Sequence, residues 1–178
     1  MTGTIETQAR VTAEQVIEMF VDDRLKALPL PADFWDDAYV LGFLMCATIQ
    51  MTQGRHGDAL EPLAVVEATF EALGAMSGKG TDAVKIRVGE CQDGADADYL
   101  RAMVSADKLV RYVTGASAMR DDPLIAAIRG KTAQLIDSGA FGEGEVTEES
   151  AMCAVLVTTL FTEVVMDRFG LAADEPQG

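Results

Sequence analysis

The chain has 178 residues, a net charge of −15 and an apolar fraction of 49%. This length fits one domain with a full hydrophobic core. The charge argues against binding to nucleic-acid backbones, which requires clustered Lys and Arg, and it disfavours anionic membrane surfaces.

The first helix is predicted to follow a flexible lead over residues 1–11. Thr12 followed by Gln15 forms a capping-box sequence, which marks a helix start. Apolar residues then recur at helical spacing: Ile17, Phe20, Val21, Leu25 and Leu28. Pro29 and Pro31 prevent this helix from continuing.

The second predicted helix opens at Pro31 or Asp33 and runs to about Gln53, where Gly54 stops it. Its centre, AYVLGFLMCATIQM, is apolar nearly all round. A helix without a polar face is normally buried, so we expect this helix at the centre of the fold.

A third helix is predicted after Asp58 and Glu61, which can cap it, and Pro62 is tolerated in its first turn. Its inward face is expected to consist of Leu63, Val66, Phe70 and Leu73. Residues 74–80, GAMSGKG, are predicted to form a loop.

The segment 83–91 is ambiguous. Val84, Ile86 and Val88 alternate with Lys and Arg, which is the periodicity of a strand. Val84, Val88 and Cys91 equally fit one face of a short helix. A lone strand has no partner to pair with, so a helix or an extended linker is favoured.

The next helix is predicted from Asp96 or Asp98 to about Thr114. Another is capped by Asp122 and ends at Gly139. The inward residues of this second helix are expected to be Leu124, Ile128, Leu135 and Ile136.

The last helix is predicted over residues 148–169. Thr147 caps it, Gly170 ends it, and Leu171 can fold back in a Schellman motif. Its centre, AMCAVLVTTLFTEVVM, is rich in β-branched residues that also suit a strand, but the length and the two end signals favour a helix.

These elements predict an all-α fold: a single-domain bundle of six or seven helices over residues 12–170, about 60–65% helical. The helices that follow Asp33 and Thr147 are expected to be its two central apolar helices. Residues 171–178 are predicted to be a disordered acidic tail. A domain of this size has limited interior, so the apolar surplus predicts a homo-oligomer.

Cysteine usage favours a cytoplasmic protein. Cys46, Cys91 and Cys153 lie far apart without a C-x-x-C spacing, which is typical of reduced thiols. The N-terminal residues do not have the pattern of a signal peptide, and no uninterrupted apolar stretch is long enough to predict a membrane-spanning helix.

The sequence offers few ligands for catalytic chemistry. His56 is the single histidine, whereas zinc and di-iron sites usually require several histidines or cysteines at close spacing. We therefore expect no catalytic residue, metal site or cofactor. A carboxylate–metal-dependent hydrolase is kept as a second alternative, because the acidic residues are plentiful.

Charge is segregated along the chain. Residues 78–139 carry nine basic and nine acidic side chains, so the whole net charge lies in the two ends. On the helix after Asp98, Arg101, Lys108 and Arg111 fall on one side. This stripe predicts a docking face for an acidic partner or for the acidic ends of a neighbouring subunit. The alternative is a solvated flank with ordinary ion pairs.

Two further segments supply candidate partner or ligand contacts. Phe34 and Trp35 follow a proline-stiffened connector, and Trp is enriched in interface hot spots; the alternative is a core Trp that anchors the helix start. Arg55 and His56 lie in a glycine-flanked turn that suits a small anion; the alternative is a polar turn between helices.

Together these features predict a non-catalytic cytoplasmic interaction or regulatory protein, expected to be a homodimer. The first alternative is a helical protein that binds a small apolar or anionic ligand between its helices.

Overall fold

The computed structural model describes residues 4–115, 119, 121–142 and 146–171. The helices in these ranges are α1 (Ile5–Phe20), the one-turn α2 (Asp23–Lys26), α3 (Ala38–His56), α4 (Pro62–Ser77), α5 (Thr81–Asp93), α6 (Ala97–Val113), α7 (Pro123–Asp137) and α8 (Glu148–Phe169). Short 3₁₀ turns, Phe34–Asp36 and Gly57–Ala59, precede α3 and α4. The described chain is one all-α domain, 80% helical and without strands, which confirms the predicted helical bundle; the helical fraction is higher than the predicted 60–65%.

Helix α3 lies at the centre of the fold. The Asp37 carboxylate caps it by accepting hydrogen bonds from the backbone N–H groups of Tyr39 (2.9 Å) and Val40 (3.1 Å). Every residue from Ala38 to Met45 is buried. Helices α1, α4, α5 and α6 all pack against α3, so its uniformly apolar surface is covered by several neighbours at once.

The start of α1 differs from the prediction. Thr4 caps the helix through a hydrogen bond from Thr7 N–H (3.3 Å), so residues 5–11 are helical and not a flexible lead. Thr12 lies inside the helix, and its hydroxyl contacts His56 instead of capping. Ala9 packs with Leu60, Val65 and Ala68 in a small second core, which ties the early part of α1 to α4 and its preceding turn.

The ends of α3 and α4 also differ from the prediction. α3 begins at Ala38 and not near Asp33, because Asp37 supplies the cap. α4 continues through Ser77 and ends at Gly78, which adopts the left-handed conformation (φ 68°), so most of the predicted 74–80 loop is helical. Leu63 is 71% exposed and does not face inward, since neighbouring helices cover α4 along Val65, Ala68 and Ala72.

Helix α5 resolves the ambiguous segment. Val84, Val88 and Cys91 are buried, whereas Ile86 is 64% exposed. The buried set follows the helical spacing, so residues 83–91 are helical, which the sequence left open.

The capping signals of the last three helices act as predicted. Side chains of Asp96, Asp122 and Thr147 accept hydrogen bonds from backbone N–H groups at the starts of α6, α7 and α8. At the end of α8, Leu171 N–H bonds to Met166 O (2.8 Å) and Gly170 N–H to Asp167 O (3.4 Å), which is the Schellman pattern. Ile136 on α7 is 36% exposed, contrary to its predicted inward position. The predicted tail after Leu171 lies outside the described residues.

Helix α8 forms one wall of the bundle. It packs against α6 and α7 and buries Leu156, Phe161 and Val165. Only 39% of its most apolar 18-residue stretch is buried. The two apolar helices of the fold therefore differ: α3 is enclosed, and α8 keeps an open outer side.

Candidate interaction surface

Two aromatic residues follow the proline-containing segment before α3, and they differ in burial. Phe34 is fully buried, with its ring centroid 5.1 Å from that of Trp35 and 5.7 Å from that of Phe169. Trp35 is half-buried and packs on the core edge. Phe34 therefore anchors the entry to α3, and of this pair only Trp35 presents surface to solvent.

Arg55 and His56 lie at the C-terminal end of α3 and contact α1. His56 Nε2 lies 3.0 Å from Thr12 Oγ1, and Arg55 Nη1 lies 3.4 Å from Gln15 Oε1. These contacts join two helices whose sequence positions are about 40 residues apart. The pair is a polar link between α1 and α3 and lies in the last turn of α3, not in the turn between helices that the sequence predicted.

The predicted basic stripe lies on α6 with every member paired to a carboxylate. Nitrogen–oxygen distances are 3.1 Å for Arg101–Asp98, 3.1 Å for Lys108–Asp122 and 2.7 Å for Arg111–Asp107. The hydrogen bond from Lys108 lowers the pKa of Asp122. The stripe is thus a surface of mixed charge, and its field at a distance is small because each cation has an anion beside it.

A cluster that the sequence analysis missed joins α3, α6 and α8. Arg168 Nη2 donates to Asp37 Oδ2 at 2.6 Å, and its Nε lies 3.1 Å from the same oxygen. Arg168 Nη1 donates to Asp98 Oδ2 at 2.8 Å. This hydrogen bond is the main cause that lowers the pKa of Asp98. No local pattern reveals the cluster, because Arg168 and Asp37 are 131 residues apart in sequence.

Tyr39 lies beside this cluster and contacts an irregular part of α8. Its ring packs under the guanidinium groups of Arg101 (5.2 Å) and Arg168 (5.9 Å). Its hydroxyl donates a 2.6 Å hydrogen bond to Leu160 O. Leu160 belongs to a π-helical segment, Thr158–Thr162, whose wide turn displaces carbonyls from the α-helical pattern. Burial raises the pKa of Tyr39, so the phenol stays protonated as a donor.

The outer side of α8 is apolar and carries no charge from Ser150 to Thr162. Ala154 and Thr158 are exposed there, and Cys153, Val157 and Met166 are half-buried beside them. We call this surface, formed by Cys153, Ala154, Val157, Thr158, Thr162 and Met166, the α8 face. It is the uncharged part of the open side of α8; Glu149, Glu163 and Asp167 of the same helix are exposed as well.

Two grooves flank the α8 face. The first, of about 570 Å³, lies between α8 and the wall made by Met19, Leu25 and Leu28 of the α1–α2 region. The second, of about 440 Å³, lies between α8 and the wall made by Leu135 and Phe141. Ala154 and Thr158 border both grooves, so they form a low ridge of small residues between two depressions. The first depression is mainly apolar and also includes Asp22, whereas Lys131 and Glu163 make the second more polar.

The titratable groups near the α8 face do not favour nucleophilic chemistry. Burial raises the pKa of Cys153, and it does the same for Cys46 and Cys91. A raised pKa reduces the thiolate fraction, which is the reactive form.

In the ranges that the structure describes, no three His, Cys, Asp or Glu side chains come together as a metal site, so no ligand set supports the hydrolase alternative.

By length and composition alone, α8 could cross a membrane, and it is the one helix of the described chain that meets this test. Core helices of water-soluble proteins meet it as well. In this fold α8 contributes Leu156 and Phe161 to the core, and its Arg168 pairs with Asp37 at the start of α3. One side of α8 is therefore packed against the rest of the protein.

Comparison with known proteins assigns no relationship: no protein-family model, curated protein or solved structure matches this chain. The functional conclusion therefore depends on the surface chemistry described above.

Proposed function

We propose that this chain is a non-catalytic cytoplasmic interaction protein that acts as a homodimer. The observation that carries the proposal is the α8 face, which is uncharged over residues 150–162 and bordered by two grooves, the first of them mainly apolar. Burial of apolar surface is the main driving force of protein association. Large contiguous apolar patches on soluble proteins usually mark interaction sites.

The net charge of the protein limits which part of its surface can form an interface between two copies. Two copies that each carry −15 repel one another. Contact is least unfavourable where few charges lie in the interface. The α8 face is uncharged from residue 150 to residue 162, and charge enters at its borders, where Asp22, Lys131 and Glu163 line the grooves. The free thiols of Cys46, Cys91 and Cys153 are consistent with the proposed reducing compartment.

A second candidate function is binding of a small apolar ligand between helices. It is favoured by the first groove, whose volume of about 570 Å³ suits a small molecule and whose walls include Met19 and Met166. Ligand sites usually enclose most of the ligand. This groove is open along one side, which suits a protein surface better.

The test is the molar mass of the full chain in solution. Light scattering after size exclusion should give twice the 19.0 kDa of one chain at micromolar concentration. A monomer at the highest soluble concentration contradicts the proposal. A monomer that binds one equivalent of an apolar fluorescent probe, and loses that binding in a Met19→Glu variant, supports the second candidate instead.

A further inference from the structure

We infer that the α8 face binds the α8 face of a second copy, with the two α8 helices antiparallel about a twofold axis near Leu156. This inference rests on the proposed homodimer and adds the surface and the geometry of contact. In a twofold interface the same patch serves both copies, so the patch must be compatible with itself in shape and in charge.

The shape of the ridge is compatible with itself. Leu156 is the midpoint of the uncharged segment 150–162, and Ala154 and Thr158 lie two residues on either side of it. In an antiparallel pair, Ala154 of one copy therefore opposes Thr158 of the other. Small side chains at a helix crossing allow the two axes to approach to about 8 Å.

The charges at the ends of the ridge are also compatible. Glu149 and Glu163 lie seven residues on either side of Leu156, about 10 Å along the helix axis. In the antiparallel pair these glutamates come opposite one another. Lys131 Nζ lies 3.3 Å from Glu163 Oε1, so a cation stands at the place where the two carboxylates approach and offsets their repulsion.

The available surface is at the lower limit of what a specific dimer interface requires. From Ser150 to Met166 the helix spans about 24 Å, and the walls of the two grooves extend it to a width of about 20 Å. The projected area is thus on the order of 500 Å² per partner, or about 1,000 Å² in total, which is the least that a specific interface buries. Met19, 45% exposed, is flexible enough to fill a facing groove.

A second copy is favoured over a lipid surface because separation of α8 from the bundle would break several stabilising contacts. Its inner side holds Phe161 in the core, Leu160 O accepts from Tyr39, and Arg168 is paired with Asp37. Insertion into lipid breaks these contacts, whereas docking of another copy on the outer side leaves them intact. Anionic lipid is also repelled by the negative charge of the protein.

The first experiment places a charge on the ridge. Ala154→Glu and Thr158→Glu change exposed positions, and Ala126→Glu on the exposed side of α7 is the matched control. We expect the ridge variants to raise the dimer dissociation constant about 100-fold or more, because an unpaired charge in a closed interface is strongly unfavourable. The control should leave it unchanged. Circular dichroism verifies that each variant keeps its helical content.

The second experiment tests the antiparallel register. In a Cys153→Ser background, the double variant Ala154→Cys/Thr158→Cys should form a covalent dimer on mild oxidation, because residue 154 of one copy meets residue 158 of the other. The control pair Ala126→Cys/Gly130→Cys has the same spacing on exposed positions of α7 and should remain uncrosslinked.

The outcomes separate this inference from the proposed function. A monomeric wild type overturns both. A dimer that is unaffected by Ala154→Glu and Thr158→Glu, and whose ridge cysteines do not crosslink, overturns the inference and leaves the homodimer. Added NaCl should tighten the dimer by screening the repulsion between copies. Weakening by salt overturns the inference in favour of an ionic contact, and flotation of the wild type with phosphatidylcholine vesicles, lost in Ala154→Glu, overturns it in favour of lipid.

Discussion

Arg168 forms hydrogen bonds with the residue that caps the central helix: its Nε and Nη2 atoms lie 3.1 and 2.6 Å from Asp37 Oδ2. Asp37 therefore both pairs with Arg168 and caps α3, since its other oxygen accepts hydrogen bonds from Tyr39 N–H and Val40 N–H. The side chains of Arg168 and Asp37 are 24% and 14% exposed, so this pair is better shielded from water than a surface ion pair. The end of α8 is thus fixed to the start of α3.

Replacing Arg168 should therefore destabilise the fold. We expect Arg168→Met to lower the free energy of unfolding by about 2 kcal/mol, because it leaves a shielded carboxylate without its charged donors. Arg168→Lys should cost about 1 kcal/mol, since an ammonium group cannot reproduce the forked contact. The Asp98 link adds little, because that carboxylate is 40% exposed.

Urea denaturation followed by circular dichroism measures these differences. Arg129→Met is the matched control, because Arg129 is exposed on α7 and forms no ion pair within the described residues. It should change the stability by less than about 0.5 kcal/mol. If Arg168→Met is no worse than Arg129→Met, the cluster does not hold α8 to α3.

The same cluster predicts how stability depends on pH. The hydrogen bond from Arg168 lowers the pKa of Asp98 in the folded state, so the unfolded chain binds a proton there more readily. The contribution to stability is complete above the usual Asp pKa of about 3.9 and is lost as the pH falls through the lower folded value. Asp122 behaves alike through Lys108.

Comparing wild type with Asp98→Asn across pH isolates this contribution, because the variant lacks the titrating carboxylate and keeps the pairing of Arg168 with Asp37. The difference in unfolding free energy should be constant from about pH 7 to about pH 5 and should shrink below about pH 3.9. Lys108→Met removes one cause of the lowered pKa of Asp122 and should show the same trend. Its amplitude should be lower, because the backbone N–H groups of Leu124 and Ile125 still donate to that carboxylate and hold its pKa down. A difference that grows on acidification contradicts the assigned sign.

The sequence predicted features that local chemistry decides. The caps Asp96, Asp122 and Thr147 bind N–H groups two or three residues away, so their effect is readable from neighbouring residues. At α5, the lack of a partner for a lone strand favoured a helix or an extended linker, and the structure shows the helix. The Schellman end at Gly170 is local as well.

Features that depend on distant neighbours were missed. The pairing of Arg168 with Asp37 spans 131 residues. Leu63 has the spacing of an inward residue but is 71% exposed, because α1 and α5 cover other sides of α4. The open side of α8 was missed for the same reason: composition predicts an apolar helix, and only the tertiary arrangement decides which of its sides is covered.

Tyr39→Phe tests the link between α3 and the π-helical segment of α8. The substitution keeps the buried ring and removes the donor to Leu160 O, leaving a buried carbonyl without that partner. We expect a loss of about 1–3 kcal/mol in unfolding free energy. Tyr112→Phe is the control, since Tyr112 is half-buried and donates no hydrogen bond within the described residues.

Amide hydrogen exchange localises the effect of Tyr39→Phe. Protection should fall at the backbone amides of residues 158–163, where the π-helical turn loses its anchor. Equal losses of protection throughout the bundle would show that the bond stabilises the fold globally and does not hold this segment in place.

The crossing of α3 and α6 depends on the absence of a side chain at Gly42. A Cβ atom there would lie 2.5 Å from Tyr99 O and 3.1 Å from Ala102 Cβ, and the first of these neighbours is backbone that cannot rotate away. Gly42→Ala should therefore push the central pair of helices apart and cost about 3 kcal/mol, in the upper range for overpacking. The gain in helix propensity offsets less than about 1 kcal/mol of this.

Gly130→Ala is the matched control for Gly42→Ala. Gly130 is helical and exposed, and a Cβ there meets nothing within 4 Å, so the propensity gain should appear alone as about 0.5–1 kcal/mol of added stability. Changes of opposite sign in the free energy of unfolding for the same substitution at these two helical glycines would then report the close packing of α3 and α6. If both variants are stabilised, the two helices are free to separate, and the tight crossing at Gly42 does not define the core.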